Sequence, residues 1–342
     1  MKLEHSTMDP TPTAGSYEAA RERAAWLDRR SRGRIVVSGR DRATYLHSLL
    51  TNDIVALKAG AGCYSAYLTP QGRMITDLWV YELGDVILIE LGQDTKDTLL
   101  AKLDQFVFSE DVQLGDVTEA FGAVAVVGPQ ASQVVSELLE TVTKPALDAL
   151  PDHGNLRATF GGQPAIVLRV SDTGEPGYEV VIDRAAYDEC SARLIAAGIP
   201  QLDGATAAAI RIEDGVPLFG QDMDEETIPL EAGIEGRAIS LTKGCYVGQE
   251  VIIRVLHRGH GRVARHLVGL SIDSDRVPAA GATLTSADKE IGRVTSAAWS
   301  PALGRPVGLG YVHRDYAAPG TAISVDGRAA TVAPLPLVRP AS

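Results

Sequence analysis

Apolar residues in this chain fall into short strand-length runs and helix-spaced sets, separated by Gly, Pro and Asp punctuation. The N-terminal residues, to about 16, are rich in Ser, Thr, Pro and Gly and read as flexible, with a helix expected over 17–30. Arg34 to Val37 reads as a strand, and Ser38-Gly39 as a turn. Asp41 can cap a helix whose apolar positions are Tyr45, Leu46, Leu49 and Leu50. From Cys63 to Leu91 the pattern is strand-like: Tyr64–Leu68, a turn at Pro70-Gln71-Gly72, Met74–Tyr81, and Val86–Leu91. A helix is expected over 95–108, strands over 111–117 and 121–127, and a helix near 130–142. The second half brings strands at 164–170 and 178–183, and helices at 185–197 and 205–213. From Arg265 onward short strands recur between turns, at 266–272, 282–285, 290–299, 306–312, 321–325 and 328–333.

Strands and helices come in runs without strict βα alternation, so the fold class is α+β and not a doubly wound sheet. The last quarter reads as a small all-β barrel or sandwich. At 342 residues the chain is expected to hold more than one packed unit. We place the boundaries at 1–16, 17–262 and 263–342.

Composition narrows the function classes. Hydrophobic residues make up 45% and charged residues 22%, which excludes global disorder. A net charge of −12 repels phosphate backbones and anionic lipid, so direct nucleic-acid or membrane binding is not expected. Cys63, Cys190 and Cys245 are odd in number and far apart, which is no disulfide framework and contains no CxxC pair. A reduced, cytoplasmic setting is expected. Residues 1–32 carry no apolar stretch of signal-peptide type, and no apolar run approaches the ~20 residues of a membrane helix.

Four segments could carry chemistry. In Lys243-Gly244-Cys245-Tyr246-Val247-Gly248-Gln249-Glu250, two glycines bracket a thiol that a nearby cation would favour as thiolate, with Arg254 following. The plainer reading is that Cys245 is a packing residue, the reading we adopt for Cys63 and Cys190. In Asp172–Glu179 the turn carboxylate of Glu175 could accept a donor pair from a heterocycle edge, or stand solvated; chemistry alone favours solvation. Arg211, before the helix-ending Gly215, could bind a carboxylate or pair with Glu213. In Gln71–Asp77, Asp77 could serve as a general acid or base, or face solvent on alternate strand positions. His257 and His260, interleaved with Arg258 and Arg262, make a weak metal signal, and no metal is assigned. No phosphate-binding glycine loop is present in the sequence.

In order along the chain, these segments resemble the glycine-cleavage T-protein (aminomethyltransferase) superfamily. Val37-Ser38-Gly39-Arg40-Asp41 through Leu49-Leu50-Thr51-Asn52-Asp53-Ile54 is similar to its opening motif. Gln71–Asp77 falls at its hairpin, Thr173–Glu179 at its pterin-contact turn, and Arg211-Ile212-Glu213 with Ile228–Glu231 at a later motif. Lys243–Glu250, with Arg254, resembles the YgfZ-type folate-binding branch. The resemblance implies two intertwined α+β lobes, a C-terminal β-barrel and a central cavity for tetrahydrofolate. It implies a pterin near Glu175 and Tyr178, a glutamate tail near Arg211, and a cofactor site that also draws on Asn52 and Asp53. Cys245 would be the functional thiol bordering the cavity.

The branch implies an accessory role in assembly or repair of iron–sulfur clusters, with iron–sulfur client enzymes as partners, including tRNA-modifying radical enzymes. One alternative is a folate-dependent one-carbon transferase, an aminomethyltransferase or a demethylase. Another is a noncatalytic scaffold with structural folate. T-proteins carry paired acids in the hairpin strand where this chain has Thr76-Asp77. If the first acid is the catalytic one it is lost here, which weighs against aminomethyl transfer from a lipoyl carrier.

Overall fold

A computed structural model of the chain describes residues 12–257, 262–287 and 289–338. The N-terminal residues 1–11, read as flexible, and the Arg258–His260 part of the basic stretch lie outside them. Helix α1 (Ala14–Glu22) leads into β1 (Ala25–Asp28), β2 (Arg32–Ser38), α2 (Arg42–Leu49), the hairpin strands β3 (Gly62–Leu68) and β4 (Met74–Glu82), β5 (Ile87–Gly92), α3 (Gln93–Asp104) and β6 (Gln113–Asp116). A second run follows: β7 (Phe121–Val127), α4 (Ala131–Leu138), α5 (Lys144–Asp148), β8 (Asn155–Phe160), β9 (Gln163–Val170), β10 (Gly177–Asp183), α6 (Tyr187–Ala196) and α7 (Gly204–Asp214). Two short helices, α8 (Glu235–Ala238) and α9 (Gln249–His257), precede the last six strands: β11 (Arg265–Ile272), β12 (Thr283–Ser286), β13 (Lys289–Ser300), β14 (Arg305–His313), β15 (Ala322–Val325) and β16 (Arg328–Ala333).

Two five-stranded antiparallel sheets carry the lobes, in the orders β3-β4-β5-β2-β6 and β1-β7-β10-β9-β8. The lobes are intertwined because β1, which precedes β2 in the chain, crosses over to pair with β7 at the edge of the second sheet. Helices α2 and α3 cover the outer face of the first sheet, where Leu46, Leu49, Leu99 and Leu103 meet Ile35, Val37, Leu78 and Ile89. On the outer face of the second sheet, Val135, Leu138 and Leu194 meet Val124, Val126 and Val180. The inner faces pack on each other through Tyr81 and Leu88 against Ala123, Leu168, Val170 and Val181. The closed barrel runs β11-β14-β13-β12-β15-β16 and takes α7 against its wall, with Ala209 and Ile212 on Ala298, Val307 and Leu309.

The structure departs from the sequence pattern in four places, one of them the short helix α5, which lies beyond the helix expected near 130–142. The helix expected over 17–30 is α1 over Ala14–Glu22 followed by β1, because Trp26 is buried and pairs with Val126. Tertiary pairing there overrides helical propensity. Strand β8 was not expected; the charged Arg157 interrupts its apolar pattern, and it lies at a sheet edge where its outer side needs none. Helices α8 and α9 fall in a segment read only for its motif.

Candidate functional site

Where the two sheets, α7 and the 216–237 segment meet, they leave a cavity of about 320 Å³. That is at the lower end for small-molecule sites. Its walls come from the chain turn around Leu27, Arg29 and Arg32, from Tyr64, Asp77 and Trp79 on the hairpin, from His153, from Ser171–Thr173, and from Ala207, Ala208, Arg211, Leu218 and Arg237.

Asp77 and Asp172 are the carboxyls of this cavity, and Asp77 is the one without an ion pair among the described residues. It is 5% exposed, and the Tyr64 hydroxyl donates to its Oδ2 at 2.7 Å. Burial raises its pKa above the ordinary carboxylate value; the Tyr64 hydrogen bond and the positive charge of Arg32 and Arg237 pull the other way without cancelling it. Strand alternation sends the neighbouring Thr76 to the opposite face, where its hydroxyl lies 2.8 Å from that of Thr95 on α3. A threonine in place of the first acid therefore removes nothing from the cavity. Tyr64 stacks at 5.2 Å from Trp79, and the Arg237 guanidinium lies 5.4 Å from the Tyr64 ring centre. Arg237 is exposed and makes no ion pair among the described residues.

The back wall is an ordered set of charges. Asp172 accepts from Arg29 and Arg32, each at 2.8 Å. Burial alone would raise the Asp172 pKa, but the two guanidinium groups overcome it and hold the carboxylate ionised. Arg32 also lies over Trp79 at 4.2 Å. Deeper still, the fully buried Arg34 bonds Glu90 at 2.7 Å and Glu179 at 2.6 Å. Burial and the neighbouring Glu179 raise the Glu90 pKa to about 7.

Of the residues singled out in the sequence, Asp77 and Arg211 line the cavity. Arg211 has its guanidinium occupied: it donates to the Val216 carbonyl at 2.7 Å, to Asp222 at 2.6 Å and to Ser296 Oγ at 2.9 Å. It therefore ties α7 to the barrel. The structure places Glu175 elsewhere, buried against Arg21 at 2.5 Å in a cluster that also holds Glu213 and Asp214. Tyr178 turns to the outer, helix-covered face of its sheet, where its hydroxyl donates to the Leu147 carbonyl at 3.0 Å. Asn52 donates to the carbonyls of Tyr64 and Arg237, behind the cavity wall, and Asp53 accepts from the Ala56 backbone. Cys245 is exposed and does not line the cavity. Lys243 does not serve it: its ammonium donates to the carbonyls of His47, Leu50 and Asn52 at the end of α2, and burial lowers its pKa to about 8. Tyr246 is buried among Tyr64, Leu68, Met74 and Ile252, while Gly244, Glu250 and Arg254 are exposed. Gln249 begins α9.

Residues 8–243 match the GCVT N-terminal domain, and residues 265–339 match the glycine cleavage T-protein C-terminal barrel domain. The chain belongs to the glycine cleavage T-protein family. It is 32% identical over 317 residues to an aminomethyltransferase of Streptomyces avermitilis, covering 91% of this chain and 84% of that one. It is 31% identical over 322 residues to an aminomethyltransferase of Nostoc, covering 91% and 83%. The crystal structure of glycine cleavage system aminomethyltransferase T from Bartonella henselae shares the fold, with a TM-score of 0.86 at 23% identity over 95% of this chain and 89% of that one.

These T-protein relatives overturn the expectation of an accessory role in iron–sulfur cluster assembly: likeness to proteins named aminomethyltransferase runs over nine-tenths of the chain, whereas that expectation leaned on the short Lys243–Glu250 segment. Cavity-lining residues that sequence reasoning missed include Trp79, His153 and Arg237. Trp79 adjoins a motif already singled out, and Asp172, which also lines the cavity, opens a segment in which only Glu175 and Tyr178 were considered. His153 and Arg237 carry no local pattern and reach the cavity only through the fold.

Proposed function

We propose that this chain is a folate-dependent one-carbon transferase working on an aminomethyl-type unit carried by a small amine or an amine-bearing carrier. The observation that carries the reading is Asp77, a buried carboxyl with a raised pKa, held by the Tyr64 hydroxyl in a cavity that also offers an aromatic wall and, in Arg237, an arginine with no ion pair among the described residues. These residues fit tetrahydrofolate. Tyr64 and Trp79 offer ring faces to a reduced pterin, Arg237 offers a counter-charge for a carboxylate tail, and Asp77 stands free to meet the reacting nitrogen. When bound, the folate supplies a nitrogen that accepts or gives up a one-carbon unit.

The chain's own part is electrostatic and positional. Tyr64 fixes the orientation of the Asp77 carboxyl, leaving Oδ1 for a ligand. A carboxyl whose pKa is raised holds a proton at higher pH than an ordinary one, which suits it to pass a proton at the reacting nitrogen. Ala207, Ala208 and Leu218 give the cavity an apolar lining on the α7 side. Within the family, Lys243–Glu250 keeps its likeness to the YgfZ-type branch. We carry it as a local likeness only, since Lys243 and Tyr246 are used in packing and Cys245 stands outside the cavity lining.

The test is turnover of methylene-tetrahydrofolate with an amine acceptor by the purified protein and by Asp77→Asn. Loss of an acid–base carboxyl should lower kcat by ~100-fold or more with tetrahydrofolate binding largely kept. Wild-type turnover surviving in the variant would remove Asp77 from the chemistry.

A further inference from the structure

His153 is the one described residue that combines a strained backbone with a place in the cavity wall. It sits at φ 59°, in the left-handed region, in the turn between Pro151 and Gly154. Its surroundings over-determine that conformation. The Gly154 amide donates to the Pro151 carbonyl at 2.9 Å, the Asn155 amide to the Gly60 carbonyl at 2.8 Å, and the Asn155 side chain to the Ala61 carbonyl at 3.0 Å. On the other side, the His153 carbonyl packs so close to Gly62 that a Cβ there would lie 2.5 Å from it. Glycine or asparagine would occupy such a turn with as little or less strain. The imidazole is what the position adds, and it lines the cavity with Asp77 and Arg237.

The ring is also under-satisfied. Nδ1 is buried with no hydrogen-bond partner among the described residues, and Nε2 lies 3.5 Å from Asp152 Oδ2, too long for a strong bond. Strain at a residue held by its surroundings, together with a buried polar atom that has no partner, is the pattern of a functional position. Resting on the transferase reading above, we infer that His153 is a second proton-handling residue of this cavity, taking a proton from the ammonium form of the amine substrate. The balance is simple. One N–H bond of the ammonium breaks and one N–H bond forms at Nε2, the ring nitrogen not sealed from solvent, leaving a free amine with its lone pair and an imidazolium that returns the proton to water when product leaves. No electrons change hands.

The charges facing the ring support the neutral form that this needs. Burial lowers its pKa, and Arg237 on α8 lowers it further, while Asp152 in the same turn and Asp172 after β9 pull it up without restoring the ordinary value. Arg29 and Arg32 hold Asp172, and Asp77 with Tyr64 completes the set lining the cavity.

The test uses the full chain and two readouts. His153→Asn keeps a residue that tolerates a left-handed φ but cannot titrate. It should unfold at the wild-type temperature and bind tetrahydrofolate as wild type does, yet lose ~100-fold in kcat at neutral pH, together with the ascending limb of the pH profile that follows imidazole deprotonation. Independently, NMR of the wild-type His153 imidazole during titration with methylamine, with tetrahydrofolate present, should move its resonances and its pKa. Unchanged turnover and pH profile in His153→Asn would overturn the inference and leave the transferase reading standing. Absence of turnover in wild type would sink the transferase reading instead. A His153 ring that responds to no ligand overturns the inference whatever the turnover.

Discussion

Single residues in this chain do different work from what their neighbours in sequence imply. Lys243 precedes Cys245 by two positions, yet its ammonium closes the carbonyl end of α2 through three acceptors and leaves the thiol alone. Replacing it by Met strands buried carbonyls, and a loss of about 3 kcal/mol in chemical denaturation is expected. Cys245→Ser alters an exposed side chain and should change stability by less than about 0.5 kcal/mol and leave turnover intact. Loss of turnover in that variant would return the thiol to the chemistry. Asp77 was legible as a candidate because a carboxylate at the fourth position of a hairpin strand can point only one of two ways. Its partner Thr76 misled, since sequence gives the alternation but not which face holds the ligand. Arg237 and His153 were illegible, one on a four-residue helix and one in a turn, placed by contacts with the hairpin strand β3 far back in sequence, Arg237 on Tyr64 and His153 on Gly62.

At the scale of elements, the glycines of two loops explain a motif better than its cysteine does. Gly248, at φ 83°, would put a Cβ 2.5 Å from the Thr69 carbonyl, and Gly72, at φ 75°, would put one 3.0 Å from the Val251 side chain. The β3–β4 turn and the start of α9 therefore dock backbone to backbone, which fixes the hairpin that carries Tyr64 and Asp77. Gly248→Ala should cost on the order of 3 kcal/mol in thermal unfolding, from the left-handed conformation and the clash together, and lower turnover by loosening that hairpin. A neutral Gly248→Ala would show that the turn tolerates a shift. Most strands and the long helices were legible from period and punctuation. Strand β8 was hidden by Arg157 at a sheet edge, and β1 by a run that reads helical until Trp26 meets its partner strand.

Across the whole molecule, buried ion clusters clamp the lobes and barrel together. Arg21 of α1 holds Glu175, Glu213 and Asp214 at once, and Glu213 also accepts from Tyr17 and Ser300. Three carboxylates share one guanidinium. Burial first, and then repulsion from Glu175 and Glu213, raises the Asp214 pKa to about 7 despite Arg21. The folded state thus keeps a proton that the unfolded chain releases above the ordinary carboxylate value. Its stabilising share is full below that value and is lost as pH rises through about 7. Asp214→Asn should flatten the fall in melting temperature between about pH 4 and 7 and add on the order of 2 kcal/mol at pH 8. Glu90, raised in the same window, keeps part of the slope. An unchanged profile would mean that the cluster titrates elsewhere.

The two intertwined lobes and the barrel were readable as an α+β whole, and the α7–barrel tie through Arg211, Asp222 and Ser296 was not, because it joins residues 85 apart in sequence. Those lobes exist, on this account, to hold a reduced folate between them. Calorimetric titration of tetrahydrofolate into wild type and into Ala208→Trp, which fills the cavity from α7, tests that directly. The account expects one site per chain in wild type and no measurable binding in the variant at an unchanged melting temperature; equal binding by both would put the ligand somewhere else.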